Sequence, residues 1–498
     1  MKRNNLTTAV VAAIAGVAGF AGLASAVDLN PDGLGQVLIY PYYTVNKSQD
    51  TQFSVVNTDS LHGKAVKVRF LEGYNSREVL DFNLYLSAND VWTAAITTIG
   101  DATTGAQIIT HDHSCLDGIT SGVQQSFLPF GYDGSLASLG QPADDGPQTI
   151  DRTREGYFEI ISMGDVIPGS ALEADITHVP TGTPDTAVPG DCGSAPGDSA
   201  TGLVAPTGGL FGAAAIVDVG VGTFYGYNAE ALDGFTVTPL YSNPSQLTPT
   251  LQQANDNVAV FPGVARAYVF EAGGTLLTAD YASGRDAVSA VLMADTLYNE
   301  YYVPASFGAS SDWVITFPTK RFYVDQGLYP GNTIPPFEVA FSGGHSNVAV
   351  TPTVYDREEG FAPPSQNNCP SPIDPVTCLA HSPILPWEVN VLSFTSVSAP
   401  TSTVFGSNLH RELAPYGSDG WARLNLIGPN LHQLPGGVTP AVAAVTLNGL
   451  PAIGFYASNV INQNAQPGLL ANYSGVFRHR ASRSCRNDNG PVADPACS

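Results

Sequence analysis

The chain has 498 residues, enough for about three domains of ordinary size. Hydrophobic residues make up 43% of it and charged residues only 13%, so it is apolar enough to fold and wholesale disorder is excluded. Acids outnumber bases 44 to 20, for a net charge of −24, which leaves too little positive charge for a large basic face and excludes nucleic acid as a partner.

The N-terminus carries an export signal. Lys2 and Arg3 precede an apolar stretch over 9–23, and Ala24, Ser25 and Ala26 form a small-residue cleavage site. Together they predict a secretory signal peptide over 1–26, cut before Val27. No cysteine follows the cut, so a lipid anchor is not indicated. No later apolar run reaches the ~20 residues a spanning helix needs, so no transmembrane helix is expected in the mature chain.

Strands dominate the mature chain. Residues 36–40 are apolar and stop at Pro41. Residues 51–57 alternate, and 65–70 alternate strictly, with Val66, Val68 and Phe70 on one side and Lys67 and Arg69 on the other. Strands over 79–86 and 91–96 come next, then a polar, Gly-rich insertion to about residue 153 and a strand over 157–163. A Pro/Gly/Thr/Ser-rich loop covers 179–209, and the apolar run 210–221 reads as a buried strand. Helix is scarce. Residues 285–298 carry one apolar stripe behind Ser283 and Gly284, and 228–232 is a shorter candidate. Short alternating strands joined by turns predict an all-β fold of Ig-like antiparallel β-sandwiches, with long loop insertions and one or two short helices.

The second half repeats the plan of the first. Residues 52–58 match 312–318, 65–70 match 348–355, and 81–86 match 387–392. The turn at Asn75, Ser76, Arg77 and Glu78 matches that at Asp356, Arg357, Glu358 and Glu359. The strand opened by Gly156 and Tyr157 matches that opened by Gly420 and Trp421, and the closing segment 210–218 matches 450–456. This predicts two tandem related sandwich domains, 27–240 and 258–480, joined by a Ser/Pro/Thr/Gln-rich linker over 241–257 and followed by a tail over 481–498.

The six cysteines, Cys115, Cys192, Cys369, Cys378, Cys485 and Cys497, all lie in Gly/Pro/Asp/Asn-rich segments and point to disulfides in an oxidising compartment. Six allow fifteen pairings. Proximity favours Cys369–Cys378 and Cys485–Cys497, which leaves Cys115–Cys192. No C-x-x-C occurs.

Three groups of residues invite chemistry. His111 and His113 flank Asp112 close to Cys115, and nitrogen ligands one residue apart share a face of an extended strand, so a transition metal is a candidate ligand. The plainer reading is a polar surface loop whose cysteine is in a disulfide. Asp218 to Gly226 superficially resembles a dinucleotide loop, but its spacing is G-x-G-x-x-x-G, Phe224 and Tyr225 crowd the phosphate approach, and no βαβ pattern surrounds it. Acidic loops at 30–33, 144–145, 356–359 and 487–490 make calcium a candidate ion, although none fits an EF-hand. No other cofactor is indicated.

The signatures G-x-S-x-G, H-E-x-x-H and G-x-x-x-x-G-K-[ST] are all absent, and no catalytic residue is assigned. With 44 acids, a carboxylate pair for glycoside hydrolysis stays open. Tyr40, Tyr42 and Tyr43, and Tyr298, Tyr301 and Tyr302, form clusters that suit either sugar stacking or a sheet core.

The stretch Leu29-Asn30-Pro31-Asp32-Gly33-Leu34-Gly35-Gln36-Val37-Leu38-Ile39-Tyr40-Pro41-Tyr42-Tyr43-Thr44, together with 312–322 and 450–475, resembles a group of uncharacterised secreted proteobacterial cell-surface proteins. The resemblance implies an exported, envelope-associated protein and brings no catalytic or binding residues. The expectation is a non-enzymatic structural or adhesive protein that is secreted to the periplasm, cell surface or exterior. Its partners would be other copies of itself, through self-assembly, or cell-envelope and extracellular polymers. The alternatives are a carbohydrate-binding protein or glycan-active hydrolase, and a secreted metal-binding protein.

Overall fold

Period-two alternation puts every second side chain of a segment on one face, and two such faces laid together form a core. The structure, a computed structural model, describes residues 26–98, 104–183, 186–254, 263–270, 276–361, 384–437, 445–462, 466–469, 471–487 and 497. The expected export signal, Cys369, Cys378 and the acidic loop beyond Asn487 lie outside them.

The first half forms β1 (Val27–Leu29), β2 (Val37–Thr44), β3 (Asp50–Asn57), β4 (Lys64–Glu72), β5 (Glu78–Leu86), β6 (Val91–Thr98), β7 (Glu155–Val166), β8 (Leu210–Asp218), β9 (Thr223–Asn228) and β10 (Glu230–Asp233). Then come β11 (Ala265–Phe270), β12 (Leu276–Tyr281) and the helix α1 (Gly284–Leu292). The second half forms β13 (Thr296–Tyr302), β14 (Ala309–Thr316), β15 (Thr351–Asp356), β16 (Val389–Phe394), β17 (Asp419–Asn425), β18 (Ile453–Val460), β19 (Tyr473–Arg478) and β20 (Arg480–Ser482).

The predicted repeat is present in the strand order. In the first half β10-β2-β7-β4 lie side by side in one sheet and β9-β8-β3-β6 in another. In the second half β20-β13-β17-β15 and β19-β18-β14-β16 take the same places in the same chain order, and every one of these pairs is antiparallel. The match extends to single residues. Gly156 on β7 and Gly420 on β17 each lie so close to the neighbouring strand that a Cβ would strike a carbonyl oxygen, that of Leu71 or that of Tyr355. Gly212 on β8 and Gly454 on β18 are likewise pressed against the carbonyls of Ser54 and Val314. One expected equivalence is corrected. Residues 387–392 do not match 81–86, because β16 takes the place of β6, while β5 extends the first sheet beyond β4.

The sheets do not part at 241–257. β11 pairs in parallel with β1, and β12 pairs with β11, so residues beyond the expected linker complete the ten-stranded sheet of the first half. Two local expectations also change. Residues 228–232 are strand, because Glu230 to Leu232 pair with Val37 to Ile39 and bury Ala231 and Leu232. The helix of 285–298 ends at Leu292, and Thr296 onward pairs with β17.

Aromatic rings fill the core in both halves. Tyr40 stacks on Phe158 at 4.1 Å, and Phe53 meets Phe158 at 4.7 Å and Trp92 at 5.5 Å. In the second half Tyr301 stacks on Phe394 at 5.0 Å, with Trp313 at 5.4 Å. Tyr40, Tyr42, Tyr43 and Tyr301 are therefore core residues, inaccessible to a sugar.

The halves share one core. Tyr227 stacks on Phe455 at 4.8 Å, and Phe405 reaches Tyr42 and Tyr225 at 5.3 Å each. Equivalent strands meet where the Phe224 amide donates to Ser474 Oγ (3.0 Å) and that hydroxyl donates to the Phe224 carbonyl (2.8 Å). A second, charged layer joins the halves. The Arg77 guanidinium grips Asp325 through Nε and Nη2 at 2.6 and 3.1 Å, and Arg321 donates to the Ser76 carbonyl at 3.0 Å. Lys320 Nζ donates to the carbonyls of Ser346 (2.8 Å) and Trp387 (3.0 Å). Beside it Glu388 is fully buried, and neither carboxyl oxygen has a hydrogen-bond partner. Burial pushes the Glu388 carboxyl up to about 8 and the Lys320 ammonium down to about 7.

Disulfides join Cys485 to Cys497, the pairing that proximity favours, and Cys115 to Cys192, the pair that the proximity pairings leave over. Among those residues no helix is long and apolar enough to cross a membrane.

Candidate functional site: a cleft over a small-residue sheet face

The outer face of the β9-β8-β3-β6 sheet carries mostly short, uncharged side chains in register. One row across the four strands is Asn228, Ala213, Ser54 and Thr93, and the next is Gly226, Ala215, Gln52 and Ala95. Four strands at the usual ~4.8 Å spacing make each row roughly 14 Å long. With so little side chain above it, this face is the floor of a cleft of about 1400 Å³.

Polar loops build one wall. His111, Asp112 and His113 follow the strand Ala106–Ile109, which pairs with β6. The loop is tied to β6, because Thr110 Oγ1 donates to the Thr93 carbonyl (2.6 Å) and the Asp112 carboxylate accepts from the Thr93 amide (3.3 Å). Ser114 Oγ donates to both Asp112 (2.9 Å) and Asp90 (3.2 Å). His178 Nδ1 lies 3.7 Å from Asp90. Burial raises the Asp90 carboxyl above the usual range, and His178 opposes that rise.

The second half supplies part of the opposite wall through Gly454, Phe455, Val476 and Arg478. There Arg478 pairs with Glu230 at 2.5 Å. Burial raises the Glu230 carboxyl, and Arg478 pulls it back. The turn at Asn30 to Gly33, closed by the Asp32 amide donating to Asn30 Oδ1 (2.9 Å), also lines the cleft. The rim thus presents carboxylates, imidazoles, amides and hydroxyls, and the exposed ring of Phe224 stands at the floor.

The structure brings His111 and His113 to this cleft as exposed rim residues. Among the described residues they are not part of a group of three or more close ligand atoms. Among the described residues, the one group of three or more His, Cys, Asp or Glu with mutually close ligand atoms is Asp59, His62 and Asp165. Lys64 Nζ already sits in that group, 3.2 Å from Asp59 and 2.7 Å from Asp165, and supplies the positive charge there. The segment 218–226 is a β-hairpin. Asp218 Oδ1 accepts from the Val221 amide (2.9 Å), and Gly222 closes the turn with φ +77°. The acidic loops at 144–145 and 356–359 are also engaged. Asp144 pairs with Arg152 at 2.7 Å, and Asp356 Oδ1 accepts from the Glu358 and Gly360 amides.

The floor escaped sequence reading because an alanine-rich run reads as buried strand. The signal was the alternation Phe211, Ala213, Ala215, Val217, which gives β8 a second, accessible face. In comparisons with known proteins, no family model, no curated protein and no solved structure matches the chain.

Proposed function

We propose that the chain is an exported, non-enzymatic adhesive protein of the cell surface that holds an extended glycan in this cleft. The observation that carries the reading is the floor itself, two registered rows of small and polar uncharged residues bounded by groups that hydrogen-bond hydroxyls. A flat floor admits sugar rings, the amide and imidazole rim orients them, and Phe224 offers a ring face for stacking. Asp32, Asp90, Asp112 and Glu230 make the cleft acidic, which favours neutral or amino sugars over polyanions. The lining carboxylates Asp112 and Glu230 are held by Ser114 and Arg478, as befits a rim that positions a ligand. Both disulfides suit an oxidising compartment, in keeping with the export signal.

The test is a glycan array with the purified chain and with Ala213→Trp, which fills the floor. Retention of neutral or amino glycans by the parent, lost in Ala213→Trp at an unchanged melting temperature, is the expected result. No retention by the parent, or retention unaffected by the tryptophan, overturns the reading.

A further inference from the structure

We propose that Lys64 and Asp165 become joined by an intramolecular amide bond. The two residues face each other across adjacent strands, Lys64 opening β4 and Asp165 near the end of β7, in direct register just past a bulge between Ser162 and Gly164. Both side chains are sealed from solvent. Lys64 Nζ lies 2.7 Å from Asp165 Oδ1, and the other carboxylate oxygen accepts from the Thr207 amide (3.2 Å) and the Thr207 hydroxyl. A second acid also contacts the amine. Asp59 Oδ2 is 3.2 Å from Nζ and 2.9 Å from His62 Nδ1, and His62 is partly exposed.

This is the arrangement that condensation needs. The first step moves one proton across the 2.7 Å contact, from Lys–NH₃⁺ to Asp–COO⁻, to give amine and acid. The amine lone pair then attacks the Asp165 carboxyl carbon, at an effective concentration set by the strand register. Thr207 N–H and O–H face the oxygen that gains charge in the adduct. Asp59 takes the second proton from nitrogen and returns it to the departing hydroxyl, which leaves as water. One C–N bond forms and one C–O bond breaks. Two opposite charges disappear, one water is released, and no oxidant or cofactor takes part. His62 links Asp59 to solvent for proton exchange. The bond would fasten the two neighbouring strands covalently in the largest sheet. The proposal is independent of what the cleft binds.

The test is a peptide map of the folded full chain, exported, then reduced and alkylated. The expected result is a peptide pair linked through Lys64 and Asp165, lighter by one water than the sum of its parts, with trypsin unable to cut after Lys64. Lys64→Arg and Asp165→Ala should show no linkage, and Asp59→Asn should fold with the linkage lost or strongly slowed. Unlinked peptides of full mass from the folded parent overturn the proposal, and this readout stands even if the substituted chains fail to fold. Linkage as complete and as fast in Asp59→Asn as in the parent overturns the role given to Asp59.

Discussion

Glu388 offers a stability test whose sign is set by burial. Its carboxyl is raised from 4.5 to about 8, chiefly by burial and against the pull of Lys320 and Arg321. The folded chain therefore keeps this proton after the unfolded chain has released it. Below pH 4.5 the resulting stabilisation is fully present, and it is lost as pH rises toward 8. Lys320, lowered from 10.5 to about 7, is charged in both states at pH 5 and opposes the slope only as pH approaches 7, and it is common to parent and variant. Between pH 5 and pH 7 one differentially bound proton is worth about 1.4 kcal/mol per pH unit, so the loss is roughly 3 kcal/mol. Glu388→Gln keeps the shape and removes the titration. Urea unfolding of parent and variant at pH 5, 6 and 7 should show the stability difference moving steadily in favour of glutamine as pH rises. A difference that stays constant would refute the reasoning. Constancy over this range is what a Glu388 already ionised in the folded chain at pH 5 would give.

Asp325→Ala strands the buried Arg77 guanidinium and should cost about 3–5 kcal/mol in denaturant unfolding, with Asp325→Asn costing less because one acceptor remains. Loss of the Cys115–Cys192 disulfide, which spans 77 residues, should cost about 4.5 kcal/mol in the chain-entropy account. Loss of Cys485–Cys497, which spans 12, should cost about 3 kcal/mol, so calorimetry of the two double serine variants should rank them in that order. Gly156→Ala and Gly420→Ala should both lower the melting temperature by separating β7 from β4 and β17 from β15. A neutral effect at either position would contradict the close approach seen there.

Much of the fold was legible because alternation reports a half-buried strand directly. β3 and β4 appear in the sequence nearly as they stand, and matching segments revealed the repeat. Short segments without that signal were misread. Residues 228–232 look helical alone, yet pairing with β2 makes them strand. The pairing of β1 with β11 was invisible, since three residues carry no pattern strong enough to name a partner more than 230 positions away. At the site, loop composition singled out His111 and His113, but not the cleft floor they overlook. The pairing of Lys64 with Asp165 depends on strand register and a bulge, neither of which local spacing encodes.

The position of β1 governs when the fold can form. Val27–Leu29 lies between β10 and β11, so its strand partners arise more than 200 residues later in the chain. During synthesis the first sandwich can begin to collapse, but its largest sheet stays open until Tyr281 has emerged. Such long-range closure is slow, and until then the edges of β10 and β1 are exposed to wrong pairing. A truncation ending in the 241–257 segment would leave that side of the sheet permanently unfinished.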